Sequence, residues 1–133
     1  MNINPVFFGV KASVYLQYTN NNMEELAKKI SKGLELPNFL ISNLQDYPYE
    51  LHGRCECLGF EIWLNKNDSK PNFEFQIEIA TQDSIEEIFN NQMFDISPWL
   101  SRYISRICCI ETCYHDESLK KDIFLKDGYI GNG

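Results

Sequence analysis

Phe73-Glu74-Phe75-Gln76-Ile77-Glu78-Ile79 decides the reading of this chain. Four large apolar residues alternate with three polar ones, two of them glutamates. Successive side chains of a strand point to opposite sides, so this pattern predicts one buried face and one polar face. Val6 to Tyr18 repeats the signature, with Val6, Phe8, Val10, Ala12, Val14, Leu16 and Tyr18 at the even positions and Gly9, Lys11, Ser13 and Gln17 among the odd ones. Strands buried on one side only imply a sheet covered by helices on that side.

The helices to cover it follow from period and punctuation. Asn20 to Asn22 offer caps ahead of Glu24 and Glu25, and Met23, Leu26, Ala27 and Ile30 recur at helical spacing. Gly33 is expected as the left-handed stop, with Leu34 packing back after it. Asp83 is expected to cap a second helix whose Ile85, Ile88, Phe89 and Met93 share a face. Ser97 is expected to cap a third, with Pro98 at its first helical position. Leu100, Ile104, Ile107 and Cys108 form its apolar stripe, and Arg102 and Arg106 another.

Between these, Tyr49–Cys57 and Gly59–Asn65 read as strands broken by a bulge or bend at Leu58-Gly59, and Asn67-Asp68-Ser69-Lys70-Pro71 as a turn. Leu36 to Asn43 reads as a short turn or a bridging segment. Ile110 to Leu125 reads as room for one short strand, and the segment from Asp127 to Gly133 as a frayed end. The expected fold is a single α/β (α+β) domain over residues 1–133, a two-layer sandwich of mainly antiparallel sheet with helices on one face. A chain of 133 residues is long enough to bury about two-thirds of its unfolded surface.

In this register the uncovered sheet face carries Lys11, Tyr15 and Gln17, then Glu61, Trp63 and Asn65, then Glu74, Gln76 and Glu78. Aromatic side chains among carboxylates are what a protein interface uses, anchors within a charged field. The alternative for Trp63 is cover by a loop or by the C-terminal tail. The expected partner-binding residues are therefore Tyr15, Glu61, Trp63, Glu74 and Glu78.

The net charge of −7 is concentrated in the middle. Residues 46–95 hold eleven acids against Arg54, Lys66 and Lys70, a balance of −8, while 1–45 and 96–133 come to +1 and zero. Phosphate binding needs clustered Lys and Arg, so nucleic acid and anionic membrane are excluded as expected partners, and a basic protein suits the charge. An acidic surface that serves only solubility is the alternative. No stretch approaches the ~20 apolar residues of a membrane span. Met1-Asn2-Ile3-Asn4-Pro5 lacks a secretory leader's basic and apolar regions, so a cytoplasmic location is expected.

Metal and catalytic chemistry have thin support. Cys55, Cys57, Cys108, Cys109, Cys113 and His115 are the one set of metal-ligand types, but their spacing is not that of a structural zinc site. Five cysteines, two of them adjacent, make a poor disulfide framework, and reduced thiols acting as small hydrophobes are expected. His52 and His115 sit in no Cys-His or Ser-His signature, and no Gly-rich loop awaits phosphate. No catalytic residue, cofactor or metal is expected.

Tyr49-Glu50-Leu51-His52-Gly53-Arg54-Cys55-Glu56-Cys57-Leu58-Gly59-Phe60-Glu61-Ile62-Trp63-Leu64-Asn65, with the amphipathic helix Met23 to Lys32 before it, resembles the small immunity proteins of bacterial toxin–immunity systems, including contact-dependent growth inhibition. Acidity, size and the absence of a catalytic motif are similar too. The resemblance covers about half the chain. It implies a cytoplasmic protein that binds and blocks a toxin of its own lineage, often a basic nuclease, and it transfers no functional residue by position. The rival functions are a regulatory module that takes a ligand or metal between sheet and helices, and a small hydrolase using His52 or His115 with a cysteine.

Overall fold

A computed structural model describes residues 9–20, 22–43, 51–81 and 93–131. Nine strands and two helices lie within them. In chain order they are β1 (Gly9–Leu16), α1 (Met23–Leu34), β2 (Leu40–Asn43), β3 (Leu51–Cys57), β4 (Phe60–Lys66), β5 (Phe75–Thr81), β6 (Met93–Asp95), α2 (Ser97–Ile107), β7 (Thr112–Asp116), β8 (Lys121–Lys126) and β9 (Tyr129–Ile130). The nine strands belong to one sheet of order β2-β3-β4-β5-β1-β7-β8-β9, antiparallel throughout, with β6 beside β1 as its one parallel member. The fold is α+β, mainly antiparallel sheet with two helices.

The alternation that predicted β1 and β5 is realised. Ala12, Val14 and Leu16 are buried, as are Phe75 and Ile77, and the pairing of Val14 with Ile77 and Leu16 with Phe75 puts them on the same side. Cys55, Ile62 and Leu64 extend that side onto β3 and β4. Leu26 and Ile30 of α1 and Leu100 and Ile104 of α2 join the same buried cluster. A shared cluster of this kind fixes the register, because a slip of one residue would turn every one of these strand side chains away from the helices.

The middle strand has a divided second edge. β6 pairs with Gly9 to Lys11 and β7 with Tyr15 and Leu16. Between them the Ser13 N–H donates to Ser97 Oγ (2.9 Å), at the point where the chain leaves β6 and enters α2. Ser97 therefore closes the ladder of β1. The expectation that it caps α2 through its side chain is corrected: its hydroxyl and its N–H both donate to Asp95 Oδ1 (2.6 and 2.9 Å), and α2 starts without a side-chain cap. Pro98 takes its expected place in the first turn.

Asn22 caps α1 as expected, accepting from the Glu25 N–H at 3.2 Å. The left-handed stop is two residues later than expected. Glu35 takes it at φ 54°, and the Leu36 N–H returns to the Ser31 carbonyl at 2.9 Å. Gly33 instead lies inside α1, where a Cβ would stand 2.9 Å from Cys108 Sγ and 3.1 Å from Ile107 Cγ2. Its missing side chain lets the two helices touch.

Three further expectations are corrected. Leu58 and Gly59, at φ 55° and 82°, form a tight two-residue connection between paired Cys57 and Phe60, so β3 and β4 are a clean hairpin with no bulge. The tail supplies three strands, β7 to β9, where one was expected. Met93 lies in β6 and not on a helix; the rest of the helix expected from Asp83 falls outside the described residues, as do Val6 to Phe8 and Tyr49-Glu50. No helix among the described residues is long and apolar enough to cross a membrane.

Candidate interface on the Trp63 face

The sheet side turned away from the buried cluster is built by register. The β3–β4 hairpin sets Arg54 opposite Trp63, and the β4–β5 pairing sets Trp63 opposite Glu78, which neighbours Ser13 on β1. One row across four strands thus reads Arg54, Trp63, Glu78, Ser13. The row beside it reads His52, Asn65, Gln76, Tyr15, Cys113 and Phe124, continued by β7 and β8.

Trp63 is the centre of a side-chain cluster. Its indole lies 5.3 Å from the His52 ring and 5.4 Å from the Arg54 guanidinium carbon, centroid to centroid and carbon to centroid. Nε1 donates to Glu61 Oε2 at 3.4 Å, two residues back on the same strand face. Arg54 Nη2 donates to Glu61 Oε1 (2.8 Å) and to Glu56 Oε1 (2.6 Å). The bond to Glu61 is the main reason the guanidinium holds its proton even more firmly than usual. Arginine thus presses its planar cation against the indole face while tying down the carboxylate that orients the indole N–H. His52 Nε2 meets Ser42 Oγ at 3.2 Å on β2. Two nitrogens beside the indole, His52 Nδ1 and Arg54 Nε, are buried without a hydrogen-bond partner among the described residues, an uncommon condition in native proteins.

The expected interface residues divide between this cluster and a second one. Trp63, half-buried, and Glu61 belong to the first, and exposed Glu78 adjoins it. Tyr15 belongs to the other. Lys70, on the turn between β4 and β5, places its Nζ 4.9 Å over the Tyr15 ring and bridges to Asp122 on β8. Asp122 also meets His115 Nδ1 at 3.1 Å, and these bonds, Lys70 first, hold its carboxyl below the usual range. Glu74 accepts the Tyr18 N–H at 2.8 Å and so fastens the exit of β1. Tyr15 and Glu74 thus stand in structural ties, two strands or a turn away from the indole.

Sequence reasoning did not place Arg54 or His52 on this face, nor the Lys70 strap beside it. A signal for the first two existed: both share strand parity with Glu56 on β3 and face β4 once the hairpin is tight. The candidate zinc set is not assembled, since among the described residues no group of three or more His, Cys, Asp and Glu is placed to hold a metal ion. Burial pushes the Cys55 and Cys113 thiols up to about 11 and raises that of Cys108. Thiols so shifted are protonated at neutral pH and are poor nucleophiles.

Comparison with protein-family models, with curated proteins and with solved structures finds no match.

Proposed function

We propose that this chain is an immunity-type protein that binds and neutralises a cognate toxin, a basic nuclease domain, through the sheet face carrying Trp63. In this reading helices and sheet form a two-layer sandwich, α1 and α2 back one side, the other side meets the toxin, and the protein acts in the cytoplasm. The observation that supports it is a half-buried tryptophan braced by Arg54 and His52 on a face that also presents Glu56, Glu61 and Glu78. A nuclease has a cationic cleft for phosphate, and carboxylates at fixed spacing occupy such a cleft as phosphate mimics. Charge of this kind speeds encounter, while a braced aromatic side chain supplies the slow dissociation.

Arg54 adds a cation to the carboxylates of this face. It neutralises part of the charge of Glu56 and Glu61, while Glu78 takes part in no ion pair among the described residues. A cationic partner would therefore compete with Arg54 for the two glutamates, and specificity would follow from where its own cations fall. The test is binding of the toxin domain encoded next to this chain's gene. Trp63→Ala and Glu78→Lys should each weaken it in chain that melts as wild type, and unchanged affinity in both would refute this face.

A further inference from the structure

The outward arc of α2 has an unusual composition. Leu100, Ile104 and Cys108 turn inward with Ser101 and Ser105, which leaves Trp99, Arg102, Tyr103, Arg106 and Ile107 to face outward. Trp99 is 57% exposed and stacks on Tyr103 with centroids 5.2 Å apart. Tryptophan, tyrosine and arginine are the residue types that carry most binding energy at protein interfaces. The arc continues onto the end of the sheet. Gly128 donates its N–H to Ser105 Oγ at 2.9 Å, seating the β8–β9 turn against the helix. Arg102, Arg106, Asp127, Gly128, Tyr129 and Ile130 then line one groove of about 500 Å³. Tyr129 and Ile130 are 75% and 57% exposed, so α2 and the turn beside it present three large exposed side chains with Trp99. Large apolar side chains exposed near one another and rimmed by polar ones mark interaction sites.

The groove also carries both signs of charge. Arg102 and Arg106 line its helix side and Asp127 its turn side, and among the described residues none of the three takes part in an ion pair. A patch that holds apolar anchors together with cations and an anion outside any ion pair has the groups to meet a second copy of itself about a two-fold axis, the commonest symmetry of soluble oligomers. We propose that α2 and the β8–β9 turn form the contact of a two-fold dimer of this chain, with Arg102 and Arg106 of one copy meeting Asp127 of the other and the Trp99–Tyr103 stack buried between them. The contact lies on the helix side, so each copy keeps its Trp63 face free, and the inference does not depend on what that face binds.

Sedimentation velocity of the full chain over about 1–100 µM, the range that brackets modest interfaces, tests this with complementary charge swaps. Wild type should reach twice the 15.6 kDa chain mass and stop there. Arg102→Asp/Arg106→Asp and Asp127→Arg should each remain at the chain mass alone, because each places like charges across the axis twice. Mixed in equal amounts they should regain the double mass, since the mixed pair restores opposite charges at both contacts. Trp99→Ala, which alters an exposed side chain and so spares the fold, should weaken self-association at least about tenfold. Wild type that stays at the chain mass, assemblies larger than two, a mixture that fails to pair, or indifference to Trp99→Ala would each overturn the proposal.

Discussion

Arg54 on β3 and Trp63 on β4 stand directly opposite each other, with the guanidinium carbon 5.4 Å from the indole centroid. The same arginine holds Glu61 at 2.8 Å, and Glu61 in turn accepts the indole N–H at 3.4 Å. Cation, carboxylate and indole thus close a three-membered ring on two strands. Arg54→Ala opens it. In a Trp99→Phe background, where Trp63 is the sole tryptophan, its fluorescence should shift to longer wavelength and become more sensitive to acrylamide, with melting close to wild type. Unchanged emission would show that the indole is held by something other than Arg54.

The register that creates this face can be tested on β5. Phe75 is fully buried against α1-side neighbours and Tyr18, whose ring meets it edge-on at 6.4 Å, while Glu78 on the opposite side is exposed. Phe75→Ala should cost about 3–5 kcal/mol in urea unfolding through lost burial and the cavity it leaves. Glu78→Ala should cost less than ~0.5 kcal/mol. Equal costs would put the strand one residue out of register and remove Trp63 from the face described.

Leu58 gives a stabilising prediction. It occupies the first position of the β3–β4 turn at φ 55° and is 90% exposed, a conformation that suits Asn or Gly and penalises a branched aliphatic side chain. Leu58→Asn should raise unfolding free energy by about 0.5–1 kcal/mol. A loss of stability would mean that Leu58 packs on something and that the turn is not the relaxed hairpin inferred.

Much of this fold could be read from residues whose surroundings are local or one-sided. β1 and β5 declared themselves because each has one buried and one polar face, and α1 because Asn22 and the stripe Met23, Leu26, Ala27, Ile30 agree. β7 hid because Thr112, Cys113 and Tyr114 are all buried, two against the helix side and one beneath the opposite face, which erases alternation. The hairpin at Leu58 hid because its left-handed first residue is not one that turns normally select. Gly33 misled because a glycine near a helix end usually marks its stop, whereas this one serves a contact with Cys108 from a distant part of the chain. The site was half-legible for the same reason. Trp63 and Glu61 follow from strand parity, but their neighbour Arg54 follows only from a turn geometry that the residues at 58 and 59 do not announce. Lys70 reaches Tyr15 and Asp122 across strands that join only in three dimensions.

The buried thiols imply alkaline lability. Cys55 and Cys113 titrate at about 11 in the folded chain, raised from 9.0 chiefly by burial. A folded pKa above the unfolded one means stability that is complete below about pH 9 and is lost as pH rises toward 11, because only the unfolded chain then releases these protons. Urea midpoints should fall between about pH 9 and 11, the span of the two values, and the fall should shrink in Cys55→Ala. At pH 7.5 or so, iodoacetamide should label exposed Cys109 long before Cys55, Cys108 or Cys113. Equal labelling of all four, or an alkaline slope untouched by Cys55→Ala, would contradict the burial assigned to these side chains.

In the proposed function, Trp63 and its carboxylate neighbours grip a basic toxin. This is tested most directly by the association and dissociation rates of that toxin domain across ~50–500 mM salt, a range from strong to weak electrostatic reach. Glu61→Lys/Glu78→Lys should mainly slow association, and the difference from wild type should shrink as salt rises. Trp63→Ala should instead speed dissociation, at a cost of about 2 kcal/mol or more, with little change in salt dependence. Binding that is independent of salt, and of equal lifetime with and without the Trp63 indole, would contradict the account.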